Sequence, residues 1–194
     1  MLLAAVNERL DVFFVYSVKG AESAGLYGAV LTLAVVPDIL GGCLSTILQP
    51  RIVRIRDDGA FALNMRRFLM LSVPVCGAAL LAALLLAEPV IPLVLGAKYV
   101  PAIPAFQWLL AGTLFWLAVT PLPLTLVAVL APERIVFVTI GQSCIVLFGG
   151  FVMLPALGVL GMAQAMFAMR IVVALAVVAV ARGIVTASPR VEAA

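Results

Sequence analysis

The densest chemistry in the chain lies in Asn7-Glu8-Arg9-Leu10-Asp11, three ionisable residues and an amide within the otherwise apolar stretch from Met1 to Val18. On a helix, residues four apart share a face, so Asn7 and Asp11 align, Glu8 flanks them and Arg9 points roughly the other way. Charges inside a membrane segment are costly and by default line a protein-enclosed, watery or substrate-filled path. A second placement fits the same residues, with the cluster at the cytoplasmic headgroups and Arg9 snorkelling.

Two more charges lie deep in apolar runs. Asp38 follows Pro37 and precedes Gly41 and Gly42, so it sits beside an expected helix kink in mid-membrane. A carboxylate there needs a cation, a proton or water. It is either a protonated Asp bonded to freed backbone or a site of ion or proton coupling. Arg170 lies about a dozen residues into the last apolar run, too deep for easy snorkelling, and is expected to face a partner carboxylate or an anionic substrate. Gln164 precedes it in the same run. Met162, Met166 and Met169 follow helical spacing, a stripe that reads as packing rather than as a binding surface.

The elements that must position these residues are transmembrane helices. Of 194 residues, 65% are hydrophobic and 11% charged, which no soluble domain of this size matches. The apolar runs do not alternate as a β-barrel would require, and an open sheet cannot satisfy its edges in lipid. The fold class is therefore all-α and polytopic, with about six spans near 1–18, 26–48, 68–87, 106–130, 135–154 and 159–181. Together they form a single helical lobe over residues 1–184, followed by a short tail from Val185 to Ala194 that is expected to be disordered. Gln49-Pro50 ends the second span, and a loop from Arg51 to Arg67 follows. Glu88-Pro89 closes the third span, and Pro121 and Pro123 break the fourth in its middle.

The net charge of +3 is no nucleic-acid signature, because the arginines cluster in one loop and otherwise scatter. Their use is topology: with the N-terminus inside, the cytoplasmic segments hold eight arginines, from Arg51 to Arg190, and the outer loops only Lys19 and Lys98. Both termini are thus expected in the cytoplasm. Cys43, Cys76 and Cys144 have no metal-ligand spacing and His is absent, so no metal, cofactor or catalytic base is indicated.

Four stretches in order carry a resemblance. They are Asn7 to Phe14, Ala24-Gly25-Leu26-Tyr27-Gly28-Ala29, Gln49-Pro50-Arg51-Ile52, and Leu93 to Pro104 with its Gly96-Ala97-Lys98-Tyr99. This Arg-x-Asp helix, Gly-x-Tyr turn and Gly-x-x-Tyr loop resemble the second half of a polysaccharide flippase. That is the Wzx-like branch of the multidrug/oligosaccharide-lipid/polysaccharide exporter superfamily. The resemblance covers essentially the whole chain, although most of the helix that precedes Arg-x-Asp in the family is missing.

The resemblance implies one lobe of a two-lobed transporter in the bacterial inner membrane. It moves an undecaprenyl-pyrophosphate-linked oligosaccharide between leaflets without covalent chemistry. Its partners are membrane lipids, that substrate, and a second lobe that is either another copy or an N-terminal half. Under this reading Arg9, Arg170, Asn7 and Gln164 bind substrate. Asp11, Asp38 and Glu8 are coupling or structural carboxylates, and Pro37, Gly41, Gly42, Pro121 and Pro123 are hinges. The alternatives are a cation-coupled multidrug exporter lobe with Asp38 as coupling site, or a non-transporting membrane subunit.

Overall fold

The computed structural model describes residues 10–57 and 61–187, and these are helical apart from short breaks between helices, with no strand among them. In chain order the helices are α1 (Leu10–Ala34), α2 (Val36–Asp57), α3 (Phe61–Val94), a short 3-10 helix (Ala97–Ala102), α4 (Ile103–Val119), α5 (Pro121–Leu130) and α6 (Pro132–Phe148). A π-helical turn (Gly149–Met153) then leads into α7 (Leu154–Ala187). Four segments are long and apolar enough to cross a membrane: Leu10–Pro50, Leu63–Ala82, Ala97–Val119 and Glu133–Ile184. The chain is an all-α, polytopic membrane protein.

The first and last of these segments, 41 and 52 residues long, exceed the ~20 that a bilayer requires. Each is interrupted at a glycine. Gly20 (φ 84°, ψ 177°) breaks α1, and Gly158 (φ 65°, ψ −151°) breaks α7. These backbone angles are open to glycine and strained for residues with a Cβ. The turns expected at 19–25 and 155–158 thus shrink to single non-helical glycines. Two further breaks divide expected spans. Val35 separates α1 from α2 inside 26–48, and Thr120 separates α4 from α5 inside 106–130.

Other expected boundaries are corrected. The helix does not stop at Gln49-Pro50, because α2 carries Pro50 internally and continues to Asp57. Much of the expected loop from Arg51 to Arg67 is helix, since α3 begins at Phe61. Nor does Glu88-Pro89 close the third span. α3 runs on to Val94 because Ala87 and Ile91, four apart, are both buried and hold this turn against the core. At the other end, α7 extends to Ala187, three residues into the expected tail.

α4 is the central helix and packs against α1, α2, α3 and α7. It buries Ala105, Leu109, Leu110, Gly112, Thr113, Leu114 and Ala118. Between membrane helices, lipid removes most of the hydrophobic drive, and close packing over small residues takes its place. α7 supplies such a surface, with Ala163, Ala165, Ala174 and Ala181 buried. Trp108 of α4 meets Phe167 of α7 edge-on at 5.1 Å. Near the π-helical turn, the face of Gly150 lies on the ring of Phe14, where an added Cβ would come within 2.6 Å.

Local hydrogen bonds support the break at Thr120. Pro121 and Pro123 lack the N–H groups that Leu117 and Val119 would otherwise accept. The Thr120 hydroxyl donates to the Trp116 carbonyl. Ser72 of α3 donates to the Ala118 carbonyl at 2.7 Å and ties a neighbouring helix to the break.

Candidate functional site

Asp38 owes its place to the interruption at Val35. Its backbone N–H donates to the Val35 carbonyl at 2.9 Å, and its carboxylate lies in the first turn of α2, where the helix dipole favours a negative charge. Arg170 reaches it from α7. The stem of Arg170 crosses α4 at Gly112, where a Cβ would come within 3.0 Å of Arg170 Cδ. The missing side chain leaves the channel through which the guanidinium passes.

The two side chains meet in a bidentate pair. Arg170 Nη1 donates to Asp38 Oδ1 at 2.8 Å, and Nη2 donates to Oδ2 at 2.7 Å. The Arg170 side chain is 16% exposed and that of Asp38 27%. Parallel N–H···O bonds between charged groups are roughly twice as strong as neutral ones, and they fix orientation. Two unit charges 4 Å apart attract by about 4 kcal/mol at the effective dielectric of a partly wet site. The pair thus neutralises two charges that neither helix would carry into the membrane alone.

The pair forms one wall of a cavity of about 520 Å³. Thr32 and Gln142 add polar groups to the wall and Trp116 adds an indole. Met166 and Met169 also line it, so part of the methionine stripe faces the cavity while Met162 is buried. Arg170 has five N–H donors, of which Asp38 engages two, so the guanidinium can address an anion in the cavity while still paired.

A second polar unit lies on α1. Asp11 is 1% exposed. Tyr27 Oη, fully buried, donates to Asp11 Oδ2 at 2.9 Å, and the Val12 N–H donates to Oδ1 at 2.8 Å. The aspartate of the Arg-x-Asp stretch and the tyrosine of the Gly-x-Tyr stretch are therefore hydrogen-bonded partners across Gly20.

The other expected site residues are placed as follows. Asn7, Glu8 and Arg9 lie outside the described residues. Gln164 is half-buried on α7 and does not line the cavity. Pro37 is buried in the first turn of α2. Gly41 is buried too, 3.5 Å from Leu117 Cδ1 as measured from an added Cβ, and Gly42 is exposed. Pro121 opens α5 and Pro123 lies buried within it. No group of three or more His, Cys, Asp or Glu suited to a metal ion occurs among the described residues.

Three residues that sequence reasoning did not place in the site are Tyr27, Trp116 and Gln142. Gln142 carries a legible signal, a lone amide in an apolar span. Trp116 carries none, because its position depends on how α4 faces α1 and α2.

An all-α bundle of apolar helices with a charged, partly polar cavity is that of a multi-pass membrane protein. Residues 1–104 match the sequence model of a family described as polysaccharide biosynthesis protein. The chain belongs to this family, in its Wzx-like type, whose members are transporter-like and which serves polysaccharide biosynthesis and export. Asp11, Tyr27 and Asp38 fall inside the matched residues, and Arg170 falls beyond them. No curated protein and no solved structure matches the chain.

Proposed function

We propose that the chain is one lobe of a flippase that carries an undecaprenyl-pyrophosphate-linked oligosaccharide across the bacterial inner membrane by alternating access. The observation that carries this reading is the Asp38–Arg170 pair on the cavity wall. A pyrophosphate needs a cation within the ~30 Å of hydrocarbon it crosses, and an unpaired arginine would be costly there whenever the site is empty. Asp38 holds Arg170 in the empty state. The pyrophosphate then shares or takes over the guanidinium, exchanging one oxyanion partner for another.

The break at Val35 lies on the wall of this cavity, and the break at Thr120 lies one turn beyond Trp116 of the same wall, so motion about Pro37, Gly41, Gly42, Pro121 and Pro123 would turn the cavity from one side to the other. In this reading Gly20 and Gly158 divide the long segments so that the chain crosses six times. Both termini are cytoplasmic, a second lobe faces the cavity, and no covalent step is needed. The engagement of both Asp38 oxygens by Arg170 weighs against a multidrug exporter that uses Asp38 as a free coupling carboxylate.

The test is surface glycan in cells carrying chromosomal Arg170→Gln or Asp38→Asn. Arg170→Gln is expected to lower surface polysaccharide at least tenfold, with the protein still present in the membrane. Unchanged glycan with either variant would overturn the reading and leave a non-transporting subunit.

A further inference from the structure

A second concavity adjoins the charged cavity on α7. It is a groove of about 350 Å³ between α6 and α7, and Val173 is the wall it shares with the cavity. Its α6 side is the stripe Arg134, Val138, Gly141 and Ile145, and its α7 side includes Ala176 and Val180. All but the first of these are apolar. At Gly141 an added Cβ would meet nothing within 4 Å, so the groove is open there to its floor.

We propose that this groove is a binding site for one anionic phospholipid, with an acyl chain along the groove and the phosphate on Arg134. Three features favour that occupant. First, the rise from Arg134 to Ile145 is ~16 Å along the helix, about half the ~30 Å hydrocarbon core and hence the depth of one leaflet. Second, the only charged side chain of the lining is at one end, where a headgroup lies when the tail fills the remainder. Third, Arg134 is exposed and makes no ion pair among the described residues, although Glu133 is its neighbour. Its guanidinium is therefore available to a phosphate oxygen. The volume is at the small end of the ~300–1,000 Å³ usual for ligand pockets, which fits one chain rather than a branched or multi-ring ligand.

The site is independent of the transport reading, because none of its charged or open positions lines the cavity. Native mass spectrometry of the full chain, released from detergent after incubation with defined lipid, tests it. With phosphatidylglycerol a single-lipid adduct is expected, at least about fivefold more abundant than with phosphatidylcholine, whose choline cation offsets the phosphate charge that Arg134 would meet. Arg134→Gln should lower the phosphatidylglycerol adduct by a similar factor, and Arg134→Lys should retain most of it. Gly141→Leu should abolish it by filling the groove, while Lys98→Gln, which removes a positive charge elsewhere, should leave it intact.

Equal adducts with both lipids, or a phosphatidylglycerol adduct insensitive to Arg134→Gln and Gly141→Leu, would overturn the proposal. Binding of undecaprenyl phosphate in place of phosphatidylglycerol would also overturn it and assign the groove to the substrate. If Gly141→Leu does not accumulate, the Arg134→Gln and Arg134→Lys comparison decides alone.

Discussion

Arg170 and Asp38, 132 positions apart in the chain, form two hydrogen bonds of 2.8 and 2.7 Å that join α7 to α2 across the central helix. Each residue alone is an isolated charge in an apolar helix. Together they are a neutral, oriented pair on a cavity wall, and the predictions below start from that difference.

Removing one partner leaves the other charged and unmatched. Loss of one member of a fully buried pair costs about 3–5 kcal/mol, and the partial exposure of these side chains lowers the expectation to ~1–3 kcal/mol. Arg170→Gln and Asp38→Asn should each lower the thermal midpoint in detergent. The double variant should be more stable than the sum of the two losses by ~1 kcal/mol or more. Strict additivity would mean that the pair contributes nothing to the fold.

Gly112 is the gap through which Arg170 passes, with Arg170 Cδ at 3.0 Å and the Phe167 backbone at 3.5 Å from an added Cβ. The Arg170 stem need give only a few tenths of an ångström to admit a methyl group, whereas a larger side chain also meets the Phe167 backbone. Gly112→Ala should keep surface glycan near the wild-type amount, whereas Gly112→Val should lower it severalfold at unchanged protein level. Wild-type glycan with both variants would show that Arg170 does not depend on this gap.

Tyr27 donates to a carboxylate that is 1% exposed. Tyr27→Phe keeps the ring and removes that one bond, at an expected cost of ~1.5–3 kcal/mol for a hydrogen bond to a charged acceptor. Thermal unfolding of the purified variant measures it, and a midpoint unchanged from wild type would contradict the assigned bond.

Glycines differ by what lies over them. A Cβ at Gly149 would overlap that of Ala165, and one at Gly150 would strike the Phe14 ring at 2.6 Å. Gly149→Ala and Gly150→Ala should each cost about 1–3 kcal/mol through overpacking. Gly25 and Gly42 have open space above them, and alanine there should be neutral or stabilising by up to ~1 kcal/mol from helix propensity. Unfolding midpoints of the four variants in one detergent give the comparison.

The class of fold was legible because long uncharged runs leave membrane helices as the only solution. The depth of Arg170 and the position of Asp38 beside Pro37 were also legible, since each is a costly charge in an apolar run. Their pairing was not. It depends on α4 bringing α2 and α7 together and on Gly112 admitting the arginine stem, neither of which is a local property. Tyr27 stood within a recognised stretch but without a role, because its partner lies on the other side of the break at Gly20.

The boundaries at 51–67 and 88–89 misled for a different reason. Arginines, Asp57-Asp58-Gly59 and Glu88-Pro89 are turn signals locally. The arginines, isoleucines and leucines around them nevertheless support helix, and burial of Ala87 and Ile91 outweighs the proline.

The central claim is that this chain moves a lipid-linked glycan between leaflets by way of Arg170. The most direct measurement is the leaflet distribution of that lipid in sealed membrane vesicles of known orientation, read with an impermeant glycan-modifying reagent. Vesicles are compared from wild-type cells, cells lacking the chain and cells carrying Arg170→Gln. The account predicts that the lipid-linked oligosaccharide accumulates in the cytoplasmic leaflet both without the chain and with Arg170→Gln. A wild-type distribution in cells lacking the chain would contradict it.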